Sequence, residues 1–537
     1  MGAEYIKNSW WLMICRDCTG LYDAQGGAPP ANLQQYFPTW DNPDTWNLNA
    51  FNSIIRRYNL GIGDFTFAVD RHVYAGWLQD DWQVSSNLTL NLGLRYDLAV
   101  NGFGEDYDFQ PWVTAGRPND TNNIQPRFGF AYKLNDLTVL RGGLGKYYGE
   151  VTDQSAHGTV SWRNIVGVEL TNDGRPDFAS NPFNGPQPTY DQLVPRTCWD
   201  QKVNQGGARP DCIRRSVGNN LASADSQYPF SWQGSIGFQR QLSSTIAVEA
   251  DYVYWASAFN INGLNVNQSF NPVTGIAYPV NQVNRLPFPE WGTVSMRINS
   301  EGYDSKNHSV QVGFTKRLSN NWQASASYVM VLDYAKDSPP ILPELDAYPQ
   351  TAGGCTHPVT WNANFSNWAC DVPVNFSYFG VPIYDLEWFR TGHQVHRATF
   401  NAIYQLPYSF QVSGLYFYGD NGKETTTSGV DIYNVGGVTA NRTRADGSII
   451  PRFNFDRKDL HRVDMRFSRR FDFSDRFSFE PMFEVFNLLN RANFNTWTLN
   501  ESNRQFGLPT QGQGGNSGAG GTAFQPRVIQ LGFRATF

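Results

Sequence analysis

The stretch that decides the fold runs from His308 to Val331 and reads HSVQVGFTKRLSNNWQASASYVMV. Apolar and polar residues alternate along two arms, which a short Ser-Asn-Asn break separates. Because successive side chains of a strand point to opposite sides, each arm has one apolar and one polar face. The stretch therefore predicts a β-hairpin. Its apolar face could be the core of a soluble sandwich or could face the lipid around a membrane barrel.

The same pattern recurs along the chain. Five further hairpins are predicted, and they begin at Val73, Pro126, Trp232, Arg397 and His461. The chain closes on one more alternating strand, Pro526 to Phe537. Together these segments predict about thirteen strands, or about fourteen if Phe65 to Val69 contributes one.

The lengths of the connections favour a membrane barrel. Turns within the predicted hairpins have about three to five residues, whereas the loops between hairpins have about 25 to 80. This alternation places all short turns at one end of the sheet, as in outer-membrane barrels with short periplasmic turns and long extracellular loops. A soluble domain rarely carries so many long loops without regular structure.

The polar faces of the predicted strands carry charges of both signs. They are Arg95, Glu249, Asp251, Arg397, Arg462, Asp464, Arg466, Glu480, Glu484 and Arg534. In a dry sandwich core each charge would cost several kcal/mol unless it were paired, whereas a water-filled or plug-filled lumen tolerates it. We therefore expect an all-β protein, a transmembrane antiparallel β-barrel spanning residues 71–537. Residues 1–70 are expected to be an irregular segment with room for one strand.

Composition narrows the functional classes. The chain has 537 residues and a formal net charge of −6, so a nucleic-acid partner is not expected. No apolar run approaches the roughly 20 residues that a membrane-spanning helix needs. The first residues, Met1 to Tyr5, lack the basic and apolar regions of a secretory signal peptide.

The six cysteines predict local cross-links. Cys198 and Cys212 lie in one long polar loop, and Cys355 and Cys370 lie in another. Two such local pairs suit disulfides in an oxidising compartment, and unpaired thiols are the alternative. Cys15 and Cys18 form a CRDC motif without a second ligand pair nearby, so a structural or incidental role is favoured over zinc or redox chemistry.

One loop supplies candidate ligand-binding residues. They are Trp361, Trp368, Tyr378 and Phe379, close to Cys355 and Cys370. An aromatic loop held by a disulfide could stack on sugars or bind peptide, and packing of loop against loop is the alternative.

We find no catalytic, metal-binding or cofactor-binding constellation in the sequence. His393 and His396 stand three residues apart at the start of a strand, where they cannot share a helix face as zinc ligands would. Asp173 and Asp177 lack the full ligand spacing of a calcium loop. We therefore expect a protein that is not an enzyme.

Several segments resemble the barrels of TonB-dependent receptors, in particular the large Oar-like receptors. The segment YAGWLQDDWQVSSNLTLNLGLRYD (Tyr74 to Asp97) resembles a characteristic strand pair of this family, and FEVFNLLNRANFN (Phe483 to Asn495) is similar to a segment near its C-terminus. Tyr303 to Val331 also resembles the Oar-like receptors. The terminal Phe537 looks like the outer-membrane assembly signal.

This resemblance implies a bacterial outer-membrane location and a 22-stranded barrel with an N-terminal plug and a TonB box. The chain matches the C-terminal part of such a barrel, and its sequence shows no plug or TonB box. It is therefore expected to be part of such a barrel or a shortened form of it. The implied partners are outer-membrane lipid, the barrel assembly machinery, a separate plug-bearing chain, TonB and other membrane subunits.

Three functions follow from these observations. The favoured one is uptake or surface binding of a ligand by a TonB-dependent-receptor-like barrel. The alternatives are a structural role in assembly through the loops and a passive diffusion pore.

Overall fold

The computed structural model describes residues 1–15, 17–24, 32–110, 112–149, 154–198, 212–223, 226–265, 267, 291–300, 302–336, 351–352, 355–356, 388–430, 442, 444–446, 448–474, 476–494, 496–509 and 525–537. Within these residues, no helix is long and apolar enough to cross a membrane.

Most strands belong to one antiparallel sheet of 16 strands, which we call the main sheet. With strands numbered β1 to β26 in chain order, its long members are β1 (Gly2–Met13), β4 (Thr66–Ser85), β5 (Leu88–Val100), β6 (Ile124–Asn135), β7 (Thr138–Tyr148), β10 (Phe230–Gln241), β11 (Ile246–Ala258), β14 (Tyr303–Ser319), β15 (Trp322–Ala335), β19 (His396–Gln405), β20 (Phe410–Gly419), β23 (Leu460–Arg469), β25 (Ser478–Phe486) and β26 (Val528–Thr536). Each of these long strands pairs with the next long strand along the chain.

The hairpin of β14 and β15 shows why the chain folds in this way. Val312 lies opposite Tyr328, and Phe314 lies opposite Ala326, so the apolar residues of both arms share one face. Asn320 and Asn321 form the turn with φ values of 51° and 67°. Asparagine tolerates this left-handed conformation, and two such residues make the turn whose twist matches that of a hairpin.

The apolar face of the main sheet is exposed, as predicted for a surface that lipid covers. We call it the outer face, and it includes Val312, Phe400 and Leu531, with exposed fractions of 43%, 47% and 78%. Lys316 also lies on this face, but its ammonium folds back onto the carbonyl oxygens of Ser319 and Trp322 at 2.9 and 3.0 Å. This lysine therefore places its charge at the turn, near the membrane boundary.

The fourteenth long strand is β1, and Phe65 to Val69 do not form a separate strand. Residues 66–69 are the beginning of β4, and β1 pairs with β4 along its whole length. Lys7 and Ser9 lie on the outer face of β1 and interrupt its apolar alternation, which explains why the sequence pattern is weak there. Within the described residues, no backbone pairing joins β1 to β26.

The connections between hairpins form a second sheet of six strands, which we call the loop sheet. Its members, in spatial order, are β12 (Ile261–Asn265), β13 (Trp291–Asn299), β9 (Arg214–Ala222), β8 (Ile165–Thr171), β3 (Ile55–Gly63) and β2 (Leu21–Ala24). They come from three different connections of the main sheet. The β9–β13 pair is parallel and the other pairs are antiparallel.

The hydrophobic core of the molecule lies in these connections rather than between the main strands. The largest fully buried side chains are Trp112, Trp162, Trp291, Phe178, Ile165, Leu193, Leu221, Met296, Ile298, Ile450 and Val113. All of them belong to segments that join hairpins. The long loops thus bury apolar surface of their own, whereas the apolar side chains of the main strands need the surrounding lipid to cover them.

Short elements complete the fold. The helices are α1 (Leu33–Tyr36), α2 (Gln154–Arg163) and α3 (Tyr190–Leu193), with 3-10 turns at Pro43–Thr45, Leu48–Phe51, Val194–Arg196 and Pro407–Ser409. The two-residue strands are β16 (Thr351–Ala352), β17 (Cys355–Thr356), β18 (Phe389–Arg390), β21 (Lys423–Glu424), β22 (Phe455–Asp456) and β24 (Phe471–Asp472).

Candidate functional site

The polar face of the main sheet, which we call the inner face, carries a chain of ion pairs. Arg141 on β7 reaches across β10 to Asp251 at 2.9 Å and to Glu249 at 3.4 Å, both on β11. Glycines on the neighbouring strands make room for these acids. A Cβ atom added to Gly313 would come within 2.8 Å of Glu249, and one added to Gly237 would overlap Asp251. The inner wall is therefore flat, polar and charged at this point.

Charges on other strands of the inner face also have polar partners, either on the same strand or on a neighbouring one. Arg95 contacts Asp97 at 2.7 Å, and Arg462 contacts Asp464 at 2.8 Å. Glu480 accepts a hydrogen bond of 2.8 Å from Ser468. The charges that the alternating pattern placed on one face thus do share that face, where they can contact water or a polar solute.

A cavity of about 400 Å³ opens on the inner face near the periplasmic turns. Its walls include Gln239, Gln241, Glu249, Thr315 and Arg317. The lining also includes Leu137, Val139, Ile246 and Val248, so the cavity combines apolar side chains with charges of both signs.

The connections between hairpins approach the inner face at the opposite end of the strands. Phe67 and Val69 on β4 pack against Val160 of α2, and all three side chains are buried. Asn101 at the end of β5 donates a hydrogen bond of 3.0 Å to the carbonyl oxygen of Asp70. The connections therefore fold inward over the upper part of the sheet and do not extend freely away from it.

A buried ion network links the strands of the loop sheet. Arg57 on β3 donates to Glu169 on β8 at 2.9 Å and to Asp23 on β2 at 2.7 Å. The backbone N–H and hydroxyl of Thr293 on β13 donate to the same oxygen of Glu169 at 3.2 and 2.9 Å. Arg214 on β9 lies 3.5 Å from its other oxygen. Residues from all three connections therefore meet at one carboxylate.

The Glu169 side chain is 2% exposed, so its charge depends on these partners. Burial alone would raise the pKa of Glu169, but Arg57, Arg214 and Thr293 together hold the pKa below its usual value. The carboxylate stays ionised and fixes the strands around it. The network can hold the loop sheet in one shape, and a binding surface needs a fixed shape.

The cysteines confirm one prediction and add one cross-link. Cys198 and Cys212 form the expected disulfide. Cys15 and Cys18 are also bonded to each other, so the CRDC motif forms a second cross-link. The predicted partner of Cys355, Cys370, lies outside the described residues, as do Trp361, Trp368, Tyr378 and Phe379.

Other candidate residues have ordinary partners. His393 pairs with Asp333 at 3.0 Å, whereas His396 contacts the hydroxyl of Tyr328, so the two histidines face different neighbours. Arg175 lies between Asp173 and Asp177, at 2.7 and 3.2 Å from them. Within the described part of the chain, no group of three or more His, Cys, Asp or Glu could hold a metal ion.

Sequence reasoning missed the network around Glu169, although a signal was present. The strand IVGVELT (Ile165 to Thr171) is apolar on both sides of a single glutamate. A lone carboxylate in such a strand must be paired when the strand is buried. The sequence gives no indication of which arginine supplies the partner, because Arg57 and Glu169 lie on different connections.

The terminal residue Phe537 follows β26 and is 94% exposed. Its role as an assembly signal stays a prediction, since the exposed position permits recognition without demonstrating it.

Comparison with known proteins agrees with the geometry. The model of a family described as outer membrane beta barrel domain matches residues 48–530. Among curated proteins, none matches the chain.

Three solved structures are similar in part. The outer membrane transporter YddB from Escherichia coli is 12% identical with a TM-score of 0.48, and the match covers 99% of this chain and 50% of that one. The siderophore receptor PirA from Acinetobacter baumannii is 12% identical with a TM-score of 0.45, and the match covers 88% of this chain and 46% of that one. A mutant of the ferric enterobactin receptor PfeA from Pseudomonas aeruginosa is 10% identical with a TM-score of 0.41, and the match covers 88% of this chain and 45% of that one. The chain spans about half the length of these structures.

Proposed function

Since the chain belongs to the outer membrane beta barrel domain family, we propose that it is a receptor-like barrel for uptake or surface binding of a ligand at the bacterial surface. The observation that carries this proposal is the loop sheet. A passive pore gains little from a sheet with its own core and ion network above its lumen. A receptor needs such a sheet, because specific binding requires a surface of fixed shape.

The inner face supports the uptake part of the proposal. Ion pairs such as Arg141–Asp251 leave the wall polar without an excess of one sign. A polar solute or a protein plug could contact this wall at little cost, because exposed ion pairs exchange readily with water.

We extend the proposal to TonB as energy source and to a plug-bearing chain as partner. The support is the resemblance of Tyr74 to Asp97 and of Phe483 to Asn495 to TonB-dependent receptors. In the structure these segments form the strands β4 and β5 and the end of β25. We propose no catalytic role.

The test uses the full chain, purified in detergent and also reconstituted in planar bilayers. Ferric chelates, oligosaccharides and peptides are added in turn, and the unfolding midpoint is followed by tryptophan fluorescence, because Trp162 on α2 and Trp291 on β13 are buried. A receptor is expected to show a raised midpoint with one ligand class and low conductance in its absence. Steady conductance with no response to any class would refute the proposal in favour of a passive pore.

A second candidate is a structural role in assembly, and the pairing of the edge strands favours it. Strand edges leave backbone N–H and C=O groups unpaired, which lipid does not tolerate. Because β1 and β26 are not paired with each other in the described residues, further strands or another subunit could cover these edges. Cysteine cross-linking across β1 and β26 in native membranes distinguishes closure within one chain from contact between chains.

A further inference from the structure

Four histidines on the outer face of the main sheet share one arrangement. In each case a tyrosine hydroxyl lies within 2.7 to 2.9 Å of a histidine Nδ1 on the next long strand. The pairs are Tyr5–His72, Tyr252–His308, Tyr328–His396 and Tyr416–His461.

Each pair lies at the base of a long connection. The tyrosine belongs to the strand that leads into the connection, and the histidine belongs to the strand that returns from it. The rings of Tyr328 and His396 are stacked, with centroids 6.1 Å apart. A contact that recurs between four pairs of adjacent strands of different sequence indicates a shared environment rather than a local coincidence.

The pairs also lie at one height in the membrane. His308 is opposite Leu332, whereas His396 is opposite Met330, two residues nearer the periplasmic turn. On β20, the backbone N–H of Asp420 donates to the carbonyl oxygen of His396, so Asp420 lies level with that histidine. His461 is opposite Tyr418, which is two residues nearer the periplasmic turn than Asp420. The histidines thus shift by two residues for every two strands.

His72 follows the same trend across six strands. Paired residues lead from Gln79, seven residues below His72, through Arg127 and Trp255 to Asn307, which lies one residue above His308. Barrel strands that tilt by 35–45° require a stagger of about one to one and a half residues per strand to keep a constant height. The observed shifts match this stagger, so the four histidines form a belt in the plane of the membrane.

The second ring nitrogen of each histidine, Nε2, can donate to an anion when the tyrosine hydroxyl donates to Nδ1. A tyrosine hydroxyl that donates to Nδ1 places the imidazole proton on Nε2, and a protonated imidazole also carries a proton there. In both states Nε2–H is a donor. Within the described residues Nε2 of His308 has no protein partner, and Lys306 lies two residues above it on the same face.

We propose that this belt binds phosphate groups on the headgroups of outer-leaflet lipids. Phosphate oxygens accept hydrogen bonds from imidazole and attract the lysine ammonium groups. The site at His308 is expected to be the strongest because of Lys306, whose Nζ lies 4.1 Å from the ring of Trp388. The other three sites are expected to be weaker because a carboxylate lies close to each histidine: Asp70 is two residues from His72, Asp420 is hydrogen-bonded to the backbone N–H of His396, and Asp459 is two residues from His461.

The test compares the full chain in dodecyl maltoside micelles, which contain no phosphate, after addition of either bisphosphorylated lipid A or its dephosphorylated form. Native mass spectrometry then measures the lipid that stays bound. The H308F variant keeps an aromatic ring but loses Nε2, and H393F removes a histidine outside the belt that is 72% exposed. We expect preferential retention of the phosphorylated form, a decrease of up to about tenfold in H308F, and no change in H393F.

Equal retention of both lipids, or equal behaviour of H308F and H393F, would overturn the proposal and leave the pairs as an aromatic belt only. Displacement of the lipid by millimolar inorganic phosphate would also overturn it, because the site would then prefer the free ion. An H396F variant repeats the measurement at a second position in case H308F does not fold. None of these readouts depends on uptake, so the receptor function can fail independently.

Discussion

Arg57 Nη1 donates a hydrogen bond of 2.9 Å to Glu169 Oε2, and this contact joins two connections of the barrel inside a buried site. Replacing Glu169 with glutamine keeps the shape but removes the negative charge that Arg57 and Arg214 share, and Arg57 then retains the carboxylate of Asp23 as an ion-pair partner. We expect E169Q to lower the free energy of unfolding of the loop sheet by about 3–5 kcal/mol. Denaturant titration followed by tryptophan fluorescence measures the change.

The matched control for this variant is E501Q. Glu501 contacts Arg444 at 2.7 Å, but its side chain is 21% exposed and that of Arg444 is 36% exposed. We expect a loss of about 1 kcal/mol or less. Equal losses in the two variants would show that burial of the Glu169 network is not the cause.

The network also predicts a dependence on pH. The folded-state pKa of Glu169 is lowered, so its contribution to stability is present above the pKa of about 4.3 of an unfolded glutamate. The contribution is lost as the pH falls through the lower, folded-state value. Unfolding midpoints measured between neutral and acidic pH should show this loss. E169Q should flatten the acidic limb, and an unchanged limb would exclude Glu169 as its source.

A third disulfide is predicted between Cys355 and Cys370. Peptide mapping under non-reducing conditions should find this cross-link together with Cys15–Cys18 and Cys198–Cys212, which serve as internal references. A free thiol at position 355 or 370, in a sample where both reference cross-links are intact, would contradict the prediction.

Two glycines of the main sheet offer a matched comparison. A Cβ atom at Gly237 would lie 2.6 Å from the carbonyl oxygen of Ala250 and would overlap Asp251, whereas one at Gly76 meets nothing within 4 Å. We expect G237A to destabilise the barrel by about 1–3 kcal/mol. G76A should be neutral or slightly stabilising, because alanine orders a strand better than glycine. Heat-induced mobility shifts on gels report both effects.

The orientation of the sheet can be tested at two adjacent residues. Phe400 lies on the outer face and Asn401 on the inner face of β19. Arginine at position 400 should cost about 2–4 kcal/mol because lipid surrounds it, and arginine at position 401 should be tolerated. Folding into lipid vesicles at several urea concentrations measures both costs. A reversed order would mean that the apolar face is not in lipid.

The main sheet is predictable from the sequence because its signal is local. Phe314 and Val312 share a face because they are two residues apart, and the Asn320–Asn321 turn fixes their partners on β15. Where polar residues interrupt this alternation, as Lys7 and Ser9 do in β1, the sequence pattern does not reveal the strand, although the strand forms.

The loop sheet is not predictable in this way. Strand β8 pairs with β3, whose residues lie about a hundred positions earlier, and nothing in either segment identifies the other. The Cys15–Cys18 disulfide was likewise hidden, because a CRDC motif is compatible with metal, redox and structural roles. Non-local partners are chosen by packing in three dimensions, which alternation along one strand does not encode.

The origin of the loop sheet in three separate connections fixes the order in which the protein can assemble. Hairpins close over short stretches of chain and can form early, whereas β2 and β13 belong to one sheet although more than 250 residues separate Ala24 from Trp291. Closing such distances is slow and requires the hairpins to be in place. Maturation at the cell surface should therefore end with the loop sheet, and an incompletely inserted chain would display its buried tryptophans to surface proteases.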